Sequence, residues 1–245
     1  MRTELVAECR NLTKNFSGVK ALNSIDLRLE RGKIIGLLGP NGSGKTTLIK
    51  ILNGLLEPTF GEVLIDGEHP GVHTKSVVSY LPDKTYFADW MRVTDIFDIF
   101  EDFYADFDRQ KAESMCLSMG IKANDKIKTM SKGTKEKVQL ILVMSRKAQL
   151  YLLDEPIAGV DPAARDYILT TIINNYNEEG TVVISTHLIS DIERILDEVV
   201  FIKNGVVVRH EAVDDIKEKE GKSIDDVFKD TFRMFPFMGV NGYDR

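Results

Sequence analysis

Gly39-Pro40-Asn41-Gly42-Ser43-Gly44-Lys45-Thr46 matches the pattern G-x-x-x-x-G-K-[ST] in full. The apolar run Ile34–Leu38 comes directly before it and is typical of a buried strand. After the loop, apolar residues recur at helical spacing from Leu48 to Leu56, and Pro58 lies just past the expected helix end. Strand, glycine-rich loop and helix, in this order, are the context in which such a loop binds phosphate. The stretch therefore predicts an α/β fold with a phosphate-binding loop.

The residue types of this loop each suit a phosphate ligand. Glycines allow left-handed backbone and close approach, so that successive N–H groups can surround a phosphate at the positive end of the next helix. Lys45 can reach the β- and γ-phosphates, and the Thr46 hydroxyl can bind Mg²⁺. A chance glycine-rich turn is the alternative, which the flanking strand and helix disfavour. The candidate ATP-binding residues are Gly39, Pro40, Asn41, Gly42, Ser43, Gly44, Lys45, Thr46 and Thr47.

Two adjacent carboxylates end a second apolar run, Leu150-Tyr151-Leu152-Leu153-Asp154-Glu155. Acids at the end of a buried strand are costly unless they serve a charge or an ion. Asp154 can hold Mg²⁺, and Glu155 can orient or deprotonate an attacking water. The alternative is an acidic turn before Pro156. Combined with the phosphate loop, the pair predicts hydrolysis that depends on Mg²⁺.

Composition excludes several classes of protein. The chain has 245 residues, of which 43% are apolar and 29% charged, and its formal net charge is −6. Because no basic stretch is present, we expect no nucleic-acid partner. Cys9 and Cys116 lack metal-ligand spacing and are predicted to be reduced core thiols. Neither a signal peptide nor a membrane-spanning run is visible, so we expect a cytoplasmic chain.

The remaining sequence alternates short apolar runs with helical periodicity. Buried strands separated by helices favour an α/β fold with a mainly parallel sheet. Asn204-Gly205 is a strong hairpin-turn signal. Strands are predicted at residues 62–65, 77–81, 150–153, 182–185 and 199–202, and helices at residues 163–175 and 189–196.

Residues 84–147 break this alternation and read as an inserted helical lobe. One predicted helical face carries Ile96, Phe97, Phe100, Phe103, Tyr104 and Phe107, which we expect to form the core of the lobe. A second group could instead bind a partner helix: Tyr86, Phe87, Trp90 and Met91. The charged tail from about residue 214 ends in aromatic residues expected to pack on the body of the chain, with packing on a partner as the alternative: Phe228, Phe232, Phe235 and Phe237.

Over residues 3–213 the sequence resembles the ATP-binding subunits of ABC transporters, with further motifs in the order of that family. Met130-Ser131-Lys132-Gly133-Thr134 resembles the signature loop, and Ala158-Gly159-Val160-Asp161 resembles the D-loop. Ser185-Thr186-His187 resembles the switch-histidine loop, and Tyr80-Leu81-Pro82-Asp83 stands at the Q-loop position. Phe16 occupies the position of the aromatic residue that stacks on adenine.

The resemblance implies a P-loop NTPase fold with a RecA-like core and a mainly parallel sheet, an antiparallel β subdomain and an inserted helical lobe. The core and β subdomain would cover about residues 1–83 and 148–213, the lobe about residues 84–147, and a C-terminal tail residues 214–245. The resemblance implies catalytic roles for Lys45, Glu155 and His187. It also implies contacts from Ser131, Gly133 and Asp161 to ATP held by the opposite subunit, and adds Asp83 to Thr46 and Asp154 as metal ligands.

Three positions depart from the family pattern. Lys132 and Thr134 stand where the signature usually has glycine and glutamine, and Asp83 stands where the Q-loop has glutamine. An ionised carboxylate can approach Mg²⁺ but cannot donate a hydrogen bond. Residues 130–137 resemble the branch of the family that serves ABC-2-type exporter permeases.

We therefore expect an ATPase subunit that binds ATP and Mg²⁺, pairs with itself or a paralogue, and drives a separate membrane permease, with export as the expected direction. It would lie on the cytoplasmic face of the membrane. A soluble ABC-type ATPase acting on ribosomes or DNA is one alternative, disfavoured because the chain has one phosphate loop and no sustained heptads. A regulatory subunit that only binds ATP is another, disfavoured by Glu155 and His187.

Overall fold

The computed structural model describes residues 4–232, apart from the side chain of Ala163. In chain order its strands are β1 (Leu5–Phe16), β2 (Val19–Glu30), β3 (Ile34–Leu38), β4 (Phe60–Ile65), β5 (Val78–Leu81), β6 (Leu150–Asp154), β7 (Thr181–Thr186), β8 (Glu198–Lys203) and β9 (Val206–Ala212). Within the described residues, β2-β1-β4 form an antiparallel sheet. The other sheet has the order β5-β6-β7-β3-β8-β9, with β9 as the antiparallel edge strand of an otherwise parallel set.

The α-helices follow the same numbering: α1 (Lys45–Leu52), α2 (Val72–Val77), α3 (Val93–Phe103), α4 (Arg109–Ser118), α5 (Lys132–Met144), α6 (Pro162–Asn175), α7 (Ile189–Ile192), α8 (Val213–Glu220) and α9 (Ile224–Phe232). Short 3₁₀ turns cover Ile127–Thr129 and Glu193–Ile195. Between residues 4 and 232, no helix has both the length and the apolar character needed to cross a bilayer.

The mainly parallel sheet separates two apolar cores. Its central strand β3 is buried along its whole length, and its residues alternate between the two sides. Ile34 and Leu38 face the core shared with the helical lobe and α6, whereas Ile35 and Leu37 face the core shared with α1 and the antiparallel sheet. Fully buried parallel strands are expected when both faces of a sheet are covered. The predicted α/β fold, with its antiparallel β subdomain, is confirmed.

Most elements predicted from periodicity are present with small shifts at their ends. The hairpin turn at Asn204-Gly205 joins β8 and β9 as predicted. The predicted helix over residues 189–196 is an α-helix only to Ile192 and then a 3₁₀ turn. β1 and β2 were not located individually by the apolar pattern. In the tail, Phe228 and Phe232 pack against Phe201 as predicted, whereas Phe235 and Phe237 lie outside the described residues.

The aromatic residues of the lobe differ from the prediction at three positions. Phe103, the last residue of α3, is 79% exposed and not part of the core of the lobe. Phe107 is buried, but it lies beyond the end of α3 and pairs with Arg146 in an isolated bridge. Met91 is buried in the apolar core, so it is not available to a partner, while Tyr86 and Trp90 remain exposed. The helix ends four residues earlier than the periodicity predicts, and the one-face assignment was therefore wrong.

Candidate active site

The phosphate loop begins at the carboxyl end of β3 and ends in the first turn of α1. Gly42 and Gly44 have φ values of 79° and 114°, in the region that favours glycine. A Cβ atom on Gly44 would stand 2.7 Å from the carbonyl oxygen of Ala21, so a larger residue does not fit without displacing the backbone. On the other side, the amide of Gly205 donates to the Ser43 carbonyl at 2.9 Å. Ala21 and Gly205 therefore support the loop backbone from both sides.

Lys45 is the first residue of α1 and is only 6% exposed. Its Nζ donates to the carbonyl oxygens of Gly39 at 2.8 Å and Pro40 at 3.4 Å, and lies 3.5 Å from Glu155 Oε1. The Lys45 side chain therefore folds over its own phosphate loop and binds the carbonyl oxygens of that loop. Ser43 Oγ is buried and has no hydrogen-bond partner within residues 4–232. A buried cation and an unpaired buried hydroxyl in one loop suit an anionic ligand.

Asp154 ends β6 and is almost completely buried. Its Oδ1 accepts hydrogen bonds from Ser185 Oγ at 2.6 Å and Thr46 Oγ1 at 3.1 Å. Its Oδ2 is buried without a partner among the described residues. Burial raises the pKa of the Asp154 carboxyl, hydrogen bonds from Ser185 and Thr46 lower it, and the carboxylates of Asp83 and Glu155 raise it further. An unpaired carboxylate oxygen beside a threonine hydroxyl fits the oxygen ligands that Mg²⁺ prefers.

Glu155 follows with a left-handed backbone, at a φ of 51°. Its amide donates to the Ser185 carbonyl at 3.0 Å and lies 3.1 Å from Ser185 Oγ, and these contacts hold the strained conformation. The turn directs the carboxylate between two cationic or potentially cationic groups. Oε1 lies 3.5 Å from Lys45 Nζ, and Oε2 lies 3.0 Å from His187 Nδ1. The phosphate loop, the acidic pair and His187 are thus adjacent at the carboxyl ends of β3, β6 and β7.

A cavity of about 760 Å³ opens beside these groups, between the core and the helical lobe. Its size lies within the range of small-molecule sites. The cavity brings together candidate residues from six separate motifs, since its lining includes Asn41, Asp83, Ser131, Gly133, Asp154, Glu155, Asp161 and His187. Lys45 and Thr46 join this group through their contacts with the acidic pair.

Two of the lining residues begin helices. Ser131 is the N-cap of α5 and accepts a hydrogen bond from the Thr134 amide at 3.1 Å, while their hydroxyls lie 2.8 Å apart. Asp161 caps α6 by accepting from the Ala164 amide at 3.1 Å. Gly133 lies in the first turn of α5, and a Cβ atom there would meet no described atom within 4 Å. The fold of this chain therefore does not itself require a glycine at position 133.

Phe16 and Thr47 lie apart from the cavity. Phe16 is the last residue of β1, the central strand of the antiparallel sheet, and is 43% exposed. The Lys14 ammonium lies 5.1 Å from the centre of its ring. Thr47 is half-buried in the first turn of α1. An exposed aromatic ring at the end of a strand is available for stacking with a planar ligand.

Two residues at the site had no individual role in the sequence prediction. Ser185 connects the acidic pair by donating to Asp154 and accepting from the amide of Glu155. The pairing of β6 with β7 would have identified Ser185, because Asp154 and Ser185 are paired neighbours at the ends of these strands. Tyr80 Oη is buried without a partner among the described residues.

Fold and site together define a P-loop NTPase. The phosphate loop follows a central parallel strand, the acidic pair follows β6, and β7 lies between these two strands. Ligand sites of parallel α/β sheets lie at the carboxyl ends of the strands, where this cavity opens.

Comparison with known proteins gives the family within this class. The family model described as ABC transporter matches residues 22–158. The ABC transporter ATP-binding protein YtrB of Bacillus subtilis is 31% identical over 217 residues, covering 86% of this chain and 74% of YtrB. The SkfA peptide export ATP-binding protein SkfE of the same organism is 27% identical over 218 residues, covering 86% of this chain and 91% of SkfE.

A solved structure supports the fold. The dimeric post-hydrolysis state of the ATP-binding cassette MJ0796, bound to ADP and Pi, superposes with a TM-score of 0.74 at 23% sequence identity. The superposition covers 84% of this chain and 98% of the cassette. The chain belongs to the ABC transporter family and is an ATP-binding, ATP-hydrolysing subunit.

Proposed function

We propose that this chain powers export through a separate membrane permease by hydrolysing ATP between two ATPase subunits. The observation that carries the proposal is the Glu155 carboxylate, held between Lys45 and His187 beside the unpaired Oδ2 of Asp154. A base, a phosphate-binding cation and a candidate metal ligand are thereby adjacent. We further propose the division into a core, a lobe over residues 84–147 and a tail over residues 214–245.

The phosphate loop binds the triphosphate in this proposal. Backbone N–H groups of residues 39–46 surround the phosphates, and the N-terminal end of α1 adds its dipole. Lys45 releases the carbonyl oxygens of its own loop and binds the γ-phosphate, while the buried Ser43 hydroxyl supplies a further hydrogen bond. Phe16 stacks on the adenine ring from the end of β1.

Thr46, Asp154 and Asp83 hold Mg²⁺ in this proposal. The fit rests on the unpaired, buried Oδ2 of Asp154 and on the hydroxyl of Thr46 next to Oδ1. Asp83 lines the same cavity and acts on Asp154 through its charge. A bound Mg²⁺ supplies positive charge that stabilises the phosphates as the γ-phosphoryl group is transferred.

Glu155 and His187 act on the attacking water. Glu155 Oε2 accepts the proton of the water, and the backbone turn stabilised by Ser185 fixes its direction. His187, hydrogen-bonded to that carboxylate, binds the γ-phosphate and keeps the water in line. Lys45 and the loop amides stabilise the charge that develops on the phosphoryl oxygens.

A second subunit completes the site. Ser131, Gly133 and Asp161 line the cavity from the lobe side and the D-loop, and we propose that they contact ATP held by the opposite subunit. Two observations support this. Gly133 has open space around it that a bound phosphate could use, and the similar MJ0796 cassette was solved as a dimer with ADP and Pi. The second subunit is a copy of this chain or a paralogue.

A permease is the proposed membrane partner, with the chain on the cytoplasmic face. Tyr86 and Trp90 are exposed on the lobe, in the segment that follows the cavity residue Asp83. Exposed aromatic residues of this kind suit the docking of a partner helix. Export is supported by the similarity to the peptide export protein SkfE and by residues 130–137, which resemble the ABC-2-type branch.

Steady-state phosphate release tests the role of Glu155. Glu155→Gln keeps the shape of the side chain but removes the base, so we expect turnover to fall by roughly 10²- to 10⁴-fold. Glu218→Gln, an exposed position on α8, serves as the matched control and should keep turnover within about twofold of the wild type. A Glu155→Gln variant with wild-type turnover would show that Glu155 is not the base.

Sedimentation of Glu155→Gln tests the shared site. With hydrolysis blocked, saturating ATP and Mg²⁺ should convert the variant from monomer to dimer, and Lys45→Ala in the same background should remain monomeric. If Glu155→Gln stays monomeric under these conditions, the proposed two-subunit site is wrong. The proposed binding of ATP to a single chain is not affected by that outcome.

A further inference from the structure

Tyr80 lies on the strand next to the acidic pair and on the same face as Asp154. β5 and β6 run parallel, and Tyr80 is paired with Leu152. Both residues contact the core that also contains α1. Because side chains alternate along a strand, Asp154, two residues beyond Leu152, projects to the same face. Diagonal neighbours on adjacent strands are within reach of an aromatic side chain.

Two unsatisfied buried polar atoms belong to side chains on this face. Tyr80 Oη is buried and has no hydrogen-bond partner within residues 4–232, and the same is true of Asp154 Oδ2. Buried polar groups are nearly always hydrogen-bonded, to protein or to an ordered ligand. The other oxygen of Asp154 already accepts from Thr46 and Ser185. One donor and one acceptor therefore remain unused on the side of the sheet where Thr46 lies.

The phenol remains a donor at neutral pH. Burial raises the pKa of Tyr80, and the nearby carboxylates of Asp154 and Asp83 raise it further. A neutral phenol close to two carboxylates can donate its proton to an oxygen atom but brings no charge of its own. It can therefore orient a water molecule without repelling a cation.

We propose that Tyr80 is a positioning residue for the cation, whose hydroxyl donates to a water molecule held together with the cation by Asp154. This inference rests on the proposed function, since it assumes that Asp154 binds Mg²⁺. Tyr80 touches neither the phosphate nor the attacking water in this arrangement. Its effect is on how tightly the cation is held and not on how nucleotide binds in the absence of a cation.

Manganese binding to the ADP-loaded chain tests the proposal. Mn²⁺ affinity is measured by electron paramagnetic resonance for the wild type, Tyr80→Phe, Tyr151→Phe and Asp154→Asn. Tyr80→Phe should weaken Mn²⁺ binding about 3- to 10-fold, the effect of one hydrogen bond, with the affinity for ADP in the absence of metal unchanged. Tyr151→Phe is the matched control because its buried hydroxyl already donates to the Arg146 carbonyl at 2.6 Å, so Mn²⁺ binding should not change.

Each outcome supports or overturns a separate statement. If Asp154→Asn weakens Mn²⁺ binding strongly and Tyr80→Phe does not, Tyr80 has no positioning role although the metal site stands. If neither variant changes the Mn²⁺ affinity, the metal site of the proposed function fails as well. A second readout does not depend on how Tyr80→Phe folds. With 3-fluorotyrosine at position 80, the ¹⁹F resonance should shift when Mg²⁺ is added to the ADP complex, and an unchanged resonance overturns the inference.

Discussion

Gly205 connects the phosphate loop to the far edge of the parallel sheet. Its amide donates to the Ser43 carbonyl at 2.9 Å, and its own carbonyl accepts from the amide of Asn23 at 2.8 Å. The residue adopts a φ of 77°, and a Cβ atom would stand 2.7 Å from the Ala21 carbonyl oxygen. One glycine thus satisfies a tight turn, a close backbone contact and the support of the loop.

Gly205→Ala should destabilise the protein and weaken ATP binding. The left-handed backbone alone costs roughly 1–3 kcal/mol, and the close contact with Ala21 adds to it. Gly221→Ala is the matched control, since its φ is 62° but no described atom lies within 4 Å of the added Cβ. Urea unfolding should show a larger loss for Gly205→Ala than for Gly221→Ala. Equal losses in the free energy of unfolding would mean that the close contact with Ala21 does not contribute to the destabilisation.

Only part of this turn could be predicted from the sequence. Asn204-Gly205 was predicted because a hairpin signal is local and is read from two residues. The contact with Ser43 joins residues far apart in sequence, and no periodicity reports on it. The same holds for Ser185, whose role follows from the pairing of β6 with β7. The candidate site residues could therefore be predicted from local sequence motifs. The contacts of Gly205 and Ser185, which hold them in place, could not.

The N-terminus of α5 has a structural role as a helix cap and, in our proposal, a binding role in the shared site. Ser131 caps the helix by accepting from the amide of Thr134, and it faces the cavity. Thr134 stands where the family usually has glutamine, and its hydroxyl lies 2.8 Å from that of Ser131. Stability and dimer formation should therefore respond differently to different substitutions at position 131.

Ser131→Asp should keep the stability of the protein and abolish the ATP-induced dimer in the Glu155→Gln background. Aspartate caps helices about as well as serine, but its charge repels a phosphate from the opposite subunit. Asp108→Ala, which removes the cap of α4, should cost about 1 kcal/mol and leave the dimer unaffected. Sedimentation and urea unfolding measure the two effects. A Ser131→Asp dimer as stable as its parent contradicts the proposed contact between subunits.

Arg146 joins the helical lobe to the edge of the parallel sheet. Its buried guanidinium donates to both Asp106 oxygens at 2.9 and 3.2 Å and to the Val78 and Ser76 carbonyls at 2.6 and 2.5 Å. It also lies 3.8 Å from the centre of the Tyr104 ring. A planar, five-donor group is required to satisfy all of these partners at once.

Arg146→Lys should destabilise the protein by about 3 kcal/mol, because an ammonium group leaves several of these buried acceptors unpaired. Arg109→Lys is the matched control. Arg109 also contacts several carboxylates, those of Asp98, Glu101 and Glu113, but it is more exposed, so the loss should be below about 1 kcal/mol. Urea unfolding measures both variants, and similar losses would remove the special role of Arg146.

The geometry of β1 and β2 explains why the apolar pattern did not locate these strands, and the geometry of the lobe explains why the end of α3 was misplaced. β1 and β2 contain several register shifts, and Asn11 and Ser24 have positive φ values of 48° and 52° within them. Such bulges interrupt the two-residue alternation that identifies a strand. In the lobe, the apolar spacing continues from α3 to Phe107, although the helix ends at Phe103. Periodicity alone does not report where a chain turns.

At the scale of the whole molecule, the two cores share the strands of one sheet. Cys9 lies in the core beneath the antiparallel sheet, and Cys116 lies in the core of the lobe. Burial, as the main cause, raises the pKa of the Cys9 thiol to about 12 and that of Cys116 to about 11, from an ordinary value of 9.0. Each thiol therefore reports on the opening of its own core.

Neither thiol should react with iodoacetamide at pH 8 in the native chain, because both are buried and almost wholly protonated. Since β3 contributes to both cores, Cys9 and Cys116 should become reactive at the same urea concentration. Mass spectrometry of peptides from each region measures the two reactions separately, with a fully denatured sample as the control. Labelling of Cys116 at clearly lower urea would show that the lobe opens by itself.

The Glu155 carboxylate and the γ-phosphate of ATP compete, in our proposal, for the same side chains of the active site. Its carboxylate lies 3.5 Å from Lys45 Nζ and 3.0 Å from His187 Nδ1, the two side chains proposed to bind the γ-phosphate. In our proposal, the γ-phosphate takes the place of this carboxylate at the Lys45 ammonium group, which leaves the carboxylate able to accept a proton from water. We therefore expect Glu155 to act as a base only when nucleotide is bound, so that substrate binding itself activates hydrolysis.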